Sequence, residues 1–205
     1  ANSNFKKLYK EFGVNAELLI DHSMGKESCT MEDIKKYTSK SKSISSSQIL
    51  FEDYDFFSAR LILKEMVEQK SLELINHDLV ASSIQLYIGY SKDVIKSTGG
   101  SKKLTINTNV YSQLVKEFLQ LYEKTTNRSY PIRRIGIALC NLYKQEYEQM
   151  NLFVNEHIIK KEKEVEKTVN ELKLKLGKNV ILKGMNLQKR STAMLRNTLV
   201  GGHNG

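Results

Sequence analysis

The apolar residues between positions 43 and 139 follow two different periods, and the changes of period mark six elements. Apolar and polar residues alternate where strands are predicted; Ile84, Leu86 and Ile88, for example, are separated by Gln85 and Tyr87. Apolar residues three or four positions apart predict helices. The predicted order is a strand over 43–50, a helix over 56–75, strands over 83–90 and 103–107, a helix over 110–122 and a strand over 134–139, with a turn at Gly99 and Gly100.

This order of elements predicts an α+β domain of the ferredoxin-like βαββαβ class, in which two helices cover one face of a four-stranded antiparallel sheet. The other face is then open, and the two-residue period of a strand identifies the side chains on it. The side chains predicted to point outward are hydroxyls, amides and cations, with no carboxylate among them. Such a surface suits a phosphate backbone, although an ordinary solvated face has a similar composition. The predicted outward set is Ser83, Gln85, Tyr87, Lys103, Thr105, Asn107, Arg134, Gly136 and Ala138.

Short helical segments are predicted before the sheet. The apolar positions between residues 4 and 20 break at Gly13, which indicates two short helices separated by a tight turn. Four lysines then lie among small hydroxyl residues between positions 35 and 42. This connector either follows the phosphates of a nucleic acid or is a flexible basic linker.

After the sheet, the sequence predicts a highly charged helix over about 156–176. Its narrow apolar stripe either packs back on the sheet domain, docks on another protein or pairs with a second copy. The cations beyond it either follow DNA or belong to a disordered tail. The stripe is formed by Ile158, Val165, Val169, Leu172 and Leu176, and the later cations are Lys183, Lys189, Arg190 and Arg196.

The composition narrows the classes of partner. The 205 residues contain 32 Lys and Arg against 23 Asp and Glu, so the formal charge of +9 favours nucleic acid first and an anionic membrane second. No segment approaches the roughly 18 apolar residues of a membrane span, and no secretory signal is recognisable. We therefore expect a cytoplasmic protein that does not enter membranes.

The cysteines and histidines of the chain are not spaced as they are in catalytic or metal-binding sites. The two cysteines, Cys29 and Cys140, are far apart and have no Cys or His at metal-ligand spacing. The four histidines are equally scattered, so neither a catalytic nor a metal site is predicted. They are His22, His77, His157 and His203.

Two segments at the ends of this pattern carry a family resemblance. Residues 39–48, SKSKSISSSQ, and residues 131–137, PIRRIGI, resemble the first and last strands of the little-finger domain of Y-family translesion DNA polymerases, in the UmuC-like (ImpB/MucB/SamB) branch. Residues 12–19 resemble the end of the thumb domain of that family, and residues 177–203 the tail of its bacterial members. The resemblance implies a thumb remnant and linker over 1–36, a little finger over 37–147 and a tail over 148–205.

The resemblance implies that this chain holds primer-template duplex DNA. Lys42, Ser43, Ser45, Ser46, Arg133 and Arg134 match the DNA-contacting strands of the family. Arg133 has inward parity, but at the start of its strand it could project past the core edge. With the connector and the open face included, the predicted DNA-binding set is Lys40, Lys42, Ser43, Ser45, Ser46, Gln85, Lys103, Thr105, Arg133 and Arg134.

A short peptide after the predicted little finger resembles the motif that binds the bacterial sliding clamp. Gln149, Met150, Asn151, Leu152 and Phe153 place a glutamine first and an adjacent apolar pair last. The alternative is a helix-entry segment whose apolar pair completes the core. The family context favours a clamp partner, and the helix that follows could bind another protein of the SOS response.

Catalysis is expected to lie outside this chain. In the family, the carboxylates that hold Mg²⁺ belong to palm and finger domains, which should precede residue 1. The acidic cluster of Glu52, Asp53 and Asp55 opens a predicted helix, where capping is the expected role. We therefore expect no cofactor here and no polymerisation by the chain alone.

Two other function classes are open at this point. One is a stand-alone regulatory protein of the same fold that binds the clamp or DNA without catalysis. The other is an RNA-binding module, which should expose aromatic side chains on its central strands for base stacking. Only Tyr87 is aromatic in the predicted outward set, so this class is the least favoured.

Overall fold

The computed structural model describes residues 4–37, 42–91, 95–144, 156–200 and 203–204. The chain divides into two units, 1–40 and 41–205. The first unit contains helices α1 (Phe5–Phe12), α2 (Asn15–Ser23) and α3 (Met31–Lys36).

Local signals explain the helix boundaries of the first unit. Gly13, at a φ of 55°, ends α1, as the break in the apolar pattern predicts. The Thr30 side chain accepts a hydrogen bond from the Asp33 amide, and the Asp33 carboxylate accepts one from the Thr30 amide, so a capping box starts α3. Lys35 and Lys36 lie in this helix, so the predicted connector was placed too early in the chain.

The second unit confirms the predicted α+β class and the βαββαβ order. Both helices lie on one face of an antiparallel sheet whose strands are ordered β1-β4-β2-β3, so β2 and β4 are central. A two-residue strand, β5 (Tyr143–Lys144), pairs with the start of β2. The main elements are β1 (Ser43–Tyr54), α4 (Phe56–Asn76), β2 (Leu79–Tyr90), β3 (Thr98–Thr108), α5 (Tyr111–Thr125) and β4 (Ile132–Cys140).

The core lies between the sheet and helices α4 and α5. Ile84, Ile135 and Leu139 are fully buried from the sheet side, and they meet Phe118 and Tyr122 of α5 in one apolar cluster. The Tyr122 hydroxyl donates to the carbonyl oxygen of Phe56 at 2.8 Å, so the polar atom of this buried ring has a partner. Because the helices cover only one face of the sheet, the alternation of apolar and polar residues along each strand distinguishes the buried face from the open one.

The start of α4 follows the predicted capping signal. The Asp55 carboxylate accepts hydrogen bonds from the amides of Phe57 and Ser58 at 2.9 and 3.0 Å. These amides have no partner inside the helix, which is why an acidic side chain stabilises this position. Capping by Asp55 is therefore confirmed.

The connection between β2 and β3 differs from the prediction. Gly99 and Gly100 lie inside β3, and the chain reverses earlier, between Tyr90 and Thr98. Gly99 has a φ of 123°, and a Cβ there would lie 2.0 Å from the carbonyl oxygen of Leu86. This glycine is thus needed for the close approach of two strands rather than for a turn.

The C-terminal segment folds back on the helical face. Helix α6 has the predicted bounds, and it packs on α4. Its docking face is mixed: Glu166 is buried and Val169 and Leu172 of the predicted stripe are half-buried, whereas Ile158, Val165 and Leu176 remain 53–67% exposed. The segment consists of α6 (Glu156–Leu176), a 3-10 helix (Gly184–Leu187), α7 (Ala193–Thr198) and the paired strands β6 (Leu199–Val200) and β7 (His203–Asn204).

The N-terminus of α5 explains why two carboxylates of α6 lie against the domain. Val110 precedes α5 and offers no side-chain cap. Glu162 of α6 accepts hydrogen bonds from the Ser112 amide and hydroxyl at 3.0 and 2.6 Å, and Glu166 accepts from the Tyr111 amide at 3.4 Å. Two carboxylates from a distant helix thus satisfy donors that α5 leaves open and complement its dipole.

Candidate nucleic-acid interface

The open face of the sheet carries most of the predicted binding residues. Sheet register places directly paired residues on the same side, and Gln85 pairs with Ala138 while Tyr87 pairs with Gly136. Lys103 and Thr105 are exposed on β3, where the intervening Leu104 is buried. The open-face side chains include Ser43, Ser45, Ser47, Gln85, Tyr87, Lys103, Thr105 and Arg134.

A shallow open groove of about 620 Å³ crosses strands β1, β4 and β2 on this face and reaches β3. Gly136 and Ala138 form its low floor because their side chains are small. Ser45, Gln85 and Arg134 are among the polar residues along its sides. The described residues that line it include no carboxylate, so the groove presents donors without acidic repulsion.

Arg134 is held in the groove by two neighbours. Its Nε atom donates to Ser47 Oγ at 3.1 Å, and its Cζ atom lies 5.4 Å from the centre of the Tyr87 ring. These contacts restrict the guanidinium group, which lowers the entropy lost when it binds a ligand. Ser47 was not in the predicted set, although it has the same strand parity as Ser45, and Tyr87 was predicted only as an outward residue.

Arg133 lies at an irregularity near the start of β4 and is half-exposed. It pairs with Asp53 of β1, with Nη1 3.6 Å from the carboxylate. Its neighbour Arg134 forms the last regular pair of this part of the ladder, opposite Ile49. The two arginines therefore differ, because Arg133 already has an anionic partner within the protein.

Ser46, the basic connector and the clamp-like peptide differ from the other predicted residues. Ser46 pairs with the buried Ile137, so its side chain lies on the helical face, and only its main chain lies along the groove. The DNA contact that the resemblance implies for Ser46 stays a prediction, with its main chain as the available donor. Lys42 is described and exposed, whereas Lys40 and the peptide 149–153 lie outside the described residues.

The cations of the C-terminal segment are placed differently from one another. Arg196 is partly buried and donates to Gln48 Oε1 at 2.9 Å, and burial lowers its pKa. Lys183 lies over the Tyr111 ring, with Nζ 3.4 Å from the ring centre, and burial likewise lowers its pKa. Lys189 is exposed. Over the described residues the segment thus packs against the domain, and three of these four cations, Lys183, Arg190 and Arg196, make internal contacts.

The acidic cluster forms local contacts. Asp55 caps α4, Asp53 pairs with Arg133, and Glu52 lies 3.6 Å from Arg190. In the parts of the chain that the structure describes, no three His, Cys, Asp or Glu side chains are grouped so that they could hold a metal ion. Within the same parts, no helix combines the length and apolar character that crossing a membrane requires.

Comparison with known families agrees with this architecture. Residues 41–152 match the impB/mucB/samB family C-terminal domain. The chain belongs to this family. The match begins just before β1 and includes the whole βαββαβ sheet, so the open face described above is a surface of the impB/mucB/samB C-terminal domain.

Relatives of this impB/mucB/samB chain include two bacterial proteins. UvrX of Bacillus subtilis (strain 168), whose name describes a UV-damage repair protein, is 27% identical over 201 residues, which are 96% of this chain and 46% of the relative. DNA polymerase IV of Clostridium kluyveri is 26% identical over 156 residues, which are 72% of this chain and 38% of the relative. The chain therefore spans less than half the length of both.

Similar solved structures include two polymerases. The insertion ternary complex of Dbh DNA polymerase has a TM-score of 0.41 and 18% identity. A Y-family DNA polymerase chimera of Dbh and Dpo4 has a TM-score of 0.39 and 19% identity. In each case the match covers 70% of this chain and 40% of the other.

Proposed function

We propose that this chain is the DNA-holding C-terminal part of a Y-family translesion DNA polymerase. Its open sheet face binds the phosphate backbone of primer-template duplex DNA, independently of sequence. The observation that carries the proposal is the groove of the impB/mucB/samB domain, where Arg134 lies beside hydroxyl and amide groups. Cations and uncharged donors hold phosphates without reading bases, which suits a polymerase that must accept damaged templates.

The residues proposed to contact DNA divide by the kind of contact. Lys42, Lys103 and Arg134 supply positive charge, and Arg133 adds to it where it can exchange Asp53 for a phosphate. The remaining contacts are hydrogen bonds from side chains or, for Ser46, from the main chain. They come from Ser43, Ser45, Ser46, Gln85 and Thr105, with Lys40 on the preceding connector as a further charge.

Substitution of Arg134 tests this proposal. We expect Arg134→Ala to weaken duplex DNA binding and to reduce the slope of log K against log[salt] by about 1, because one phosphate contact is lost. Adding Arg133→Ala should weaken binding further without unfolding the domain. Lys116→Ala removes one exposed charge from α5, on the covered side of the sheet, and serves as the matched control. Equal affinities and salt slopes for Arg134→Ala and the control would contradict the assignment.

We also propose that residues 149–153 tether the chain to the bacterial sliding clamp. The support is the sequence itself, a glutamine followed by an adjacent Leu–Phe pair, at the end of the impB/mucB/samB domain match. A fluorescent peptide of this segment should bind the clamp, and Phe153→Ala should abolish that binding. No difference between the two peptides would contradict the tether.

The cellular role proposed here follows from these two partners. A protein that holds damaged DNA and binds the clamp acts in the cytoplasm, in DNA damage tolerance of the SOS type. The name of the Bacillus subtilis relative, a UV-damage repair protein, supports this context. Mg²⁺-dependent nucleotide transfer is proposed for the whole polymerase, and any nucleotide incorporation by this chain alone would contradict its non-catalytic assignment.

A further inference from the structure

The C-terminal segment contacts strand β1 from the helical face of the sheet. Thr192 Oγ1 lies 3.0 Å from Gln48 Nε2, and Arg196 Nη1 donates to Gln48 Oε1 at 2.9 Å. The same two residues are anchored on α4, where the Thr192 amide donates to Glu65 at 3.1 Å and Arg196 also bonds Gln69. Gln48 is therefore held between the tail and helix α4.

These contacts lie beside a break in the β1 ladder. Strand β1 is an edge strand, and its register with β4 runs regularly to the Ile49–Arg134 pair and resumes only at Tyr54 with Ile132. At the far end of the break, Arg190 Nη1 donates to the carbonyl oxygen of Asp53 at 3.3 Å. The Tyr54 hydroxyl donates to the carbonyl oxygen of Arg190 at 3.2 Å. Tail contacts thus support β1 on both sides of the segment where β4 does not.

The β1 residues next to these contacts hold the two arginines of β4. Ser47, the neighbour of Gln48, accepts the hydrogen bond from Arg134 on the open face. Asp53, whose carbonyl oxygen binds Arg190, forms the ion pair with Arg133. Successive residues of a strand point to opposite faces of the sheet. The hydrogen bonds that hold Gln48 on the helical face therefore also fix the main chain of Ser47, whose side chain lies on the open face.

We propose that Arg190, Thr192 and Arg196 are positioning residues that fix the DNA-binding face from the opposite side of the sheet. They hold β1 at its irregular segment, and β1 in turn orients Arg134 through Ser47 and Arg133 through Asp53. The effect on DNA binding rests on the function proposed above. The effect on the strand does not, because it can be measured without DNA.

Burial makes the Gln48 contacts sensitive to small changes. Thr192 and Gln48 are only 4% and 8% exposed. Removal of the Thr192 hydroxyl leaves Gln48 Nε2 without this partner and away from water, whereas Gln48 Oε1 keeps its bond from Arg196. Thr192→Val keeps the shape of the side chain and removes only this hydroxyl, so it is the most selective variant.

The experiment compares Thr192→Val and Arg196→Gln with Lys189→Gln in the full chain. Lys189 is an exposed tail cation, so its substitution controls for lost charge. We expect faster amide exchange over residues 47–54 in the first two variants, with the core of α4 unchanged, and roughly threefold to tenfold weaker duplex binding. The control should match the parent chain in both measurements. Unchanged exchange over 47–54 in both test variants would overturn the proposal.

A double-mutant cycle separates positioning from general destabilisation. If Thr192 acts through Arg134, Thr192→Val should have little further effect on affinity once Arg134→Ala is present. If Thr192→Val weakens duplex binding by the same factor in the parent chain and in the Arg134→Ala variant, the positioning role is overturned. If Arg134→Ala alone leaves affinity unchanged, the proposed function of the face fails, and the exchange data still decide whether the tail holds β1.

Discussion

At the residue scale, Asp55 illustrates a side chain whose role depends on its charge. Hydrogen bonds from the Ser58 hydroxyl and then from the Ser58 and Phe57 amides lower the pKa of its carboxyl group. A carboxyl group with a lowered pKa stabilises the fold above its unfolded pKa, and this contribution is lost as the pH falls through the folded value. We expect Asp55→Ala to reduce the free energy of unfolding by about 1 kcal/mol at pH 7.

Urea unfolding at pH 7 and at pH 2.5 tests the Asp55 prediction. The difference between parent and variant should shrink at the lower pH, because the stabilisation from the charged Asp55 carboxylate is lost as the pH falls toward its lowered pKa. Asp53→Asn, which leaves the helix cap intact, is the control. A difference of the same size at both pH values would mean that Asp55 acts through shape rather than charge.

Glu166 has the opposite electrostatic behaviour. Burial raises its pKa to about 7, with Glu162 and Glu68 adding to the shift, while Lys183 and the Tyr111 amide oppose it. Its contribution to stability is therefore greatest below pH 4.5 and is lost as the pH rises through about 7. At pH 8 the parent chain must keep a charged carboxylate buried, and Glu166→Gln removes that charge. We expect the free energy of unfolding of the variant to exceed that of the parent chain by on the order of 1–3 kcal/mol at pH 8.

Unfolding measured at pH 5 and pH 8 tests this second prediction. Glu164→Gln removes one exposed charge from the same helix and should follow the parent chain. Identical pH dependence for Glu166→Gln and the parent chain would rule out the titration of Glu166 in this range.

At the element scale, the start of α5 depends on a helix about fifty residues later in the chain. Glu162 bonds both the amide and the hydroxyl of Ser112, and α5 has no cap of its own. We expect Glu162→Ala to cost about 1 kcal/mol and to speed amide exchange in the first turn of α5. Glu171→Ala, which removes an exposed carboxylate of α6, should have neither effect. Equal costs for the two variants would contradict capping between these helices.

At the scale of the whole molecule, the formal charge of +9 overstates what DNA can use. Arg196 and Lys183 serve internal contacts, and Arg133 pairs with Asp53. If Lys42, Lys103 and Arg134 each neutralise one phosphate, log K should fall with log[salt] with a slope of roughly −2 to −4. Fluorescence anisotropy with one duplex at several salt concentrations measures this slope. A slope near −9 would mean that the whole charge, rather than one face, governs binding.

The sequence by itself determined the order of the sheet elements, the span of α6, the cap of α4 and most side chains of the open face, although it missed Ser47. These features depend on periodicity and on neighbouring residues, so they can be predicted without long-range contacts. The tertiary structure alone decided the docking of the tail, the pKa of Glu166 and the different environments of Arg133 and Arg134. Each depends on distant residues; Arg196 and Gln48, for example, are 148 positions apart. The apolar stripe of α6 left its docking partner open, because the unsatisfied donors of α5, which bind the carboxylates of α6, are not visible in the pattern of α6 itself.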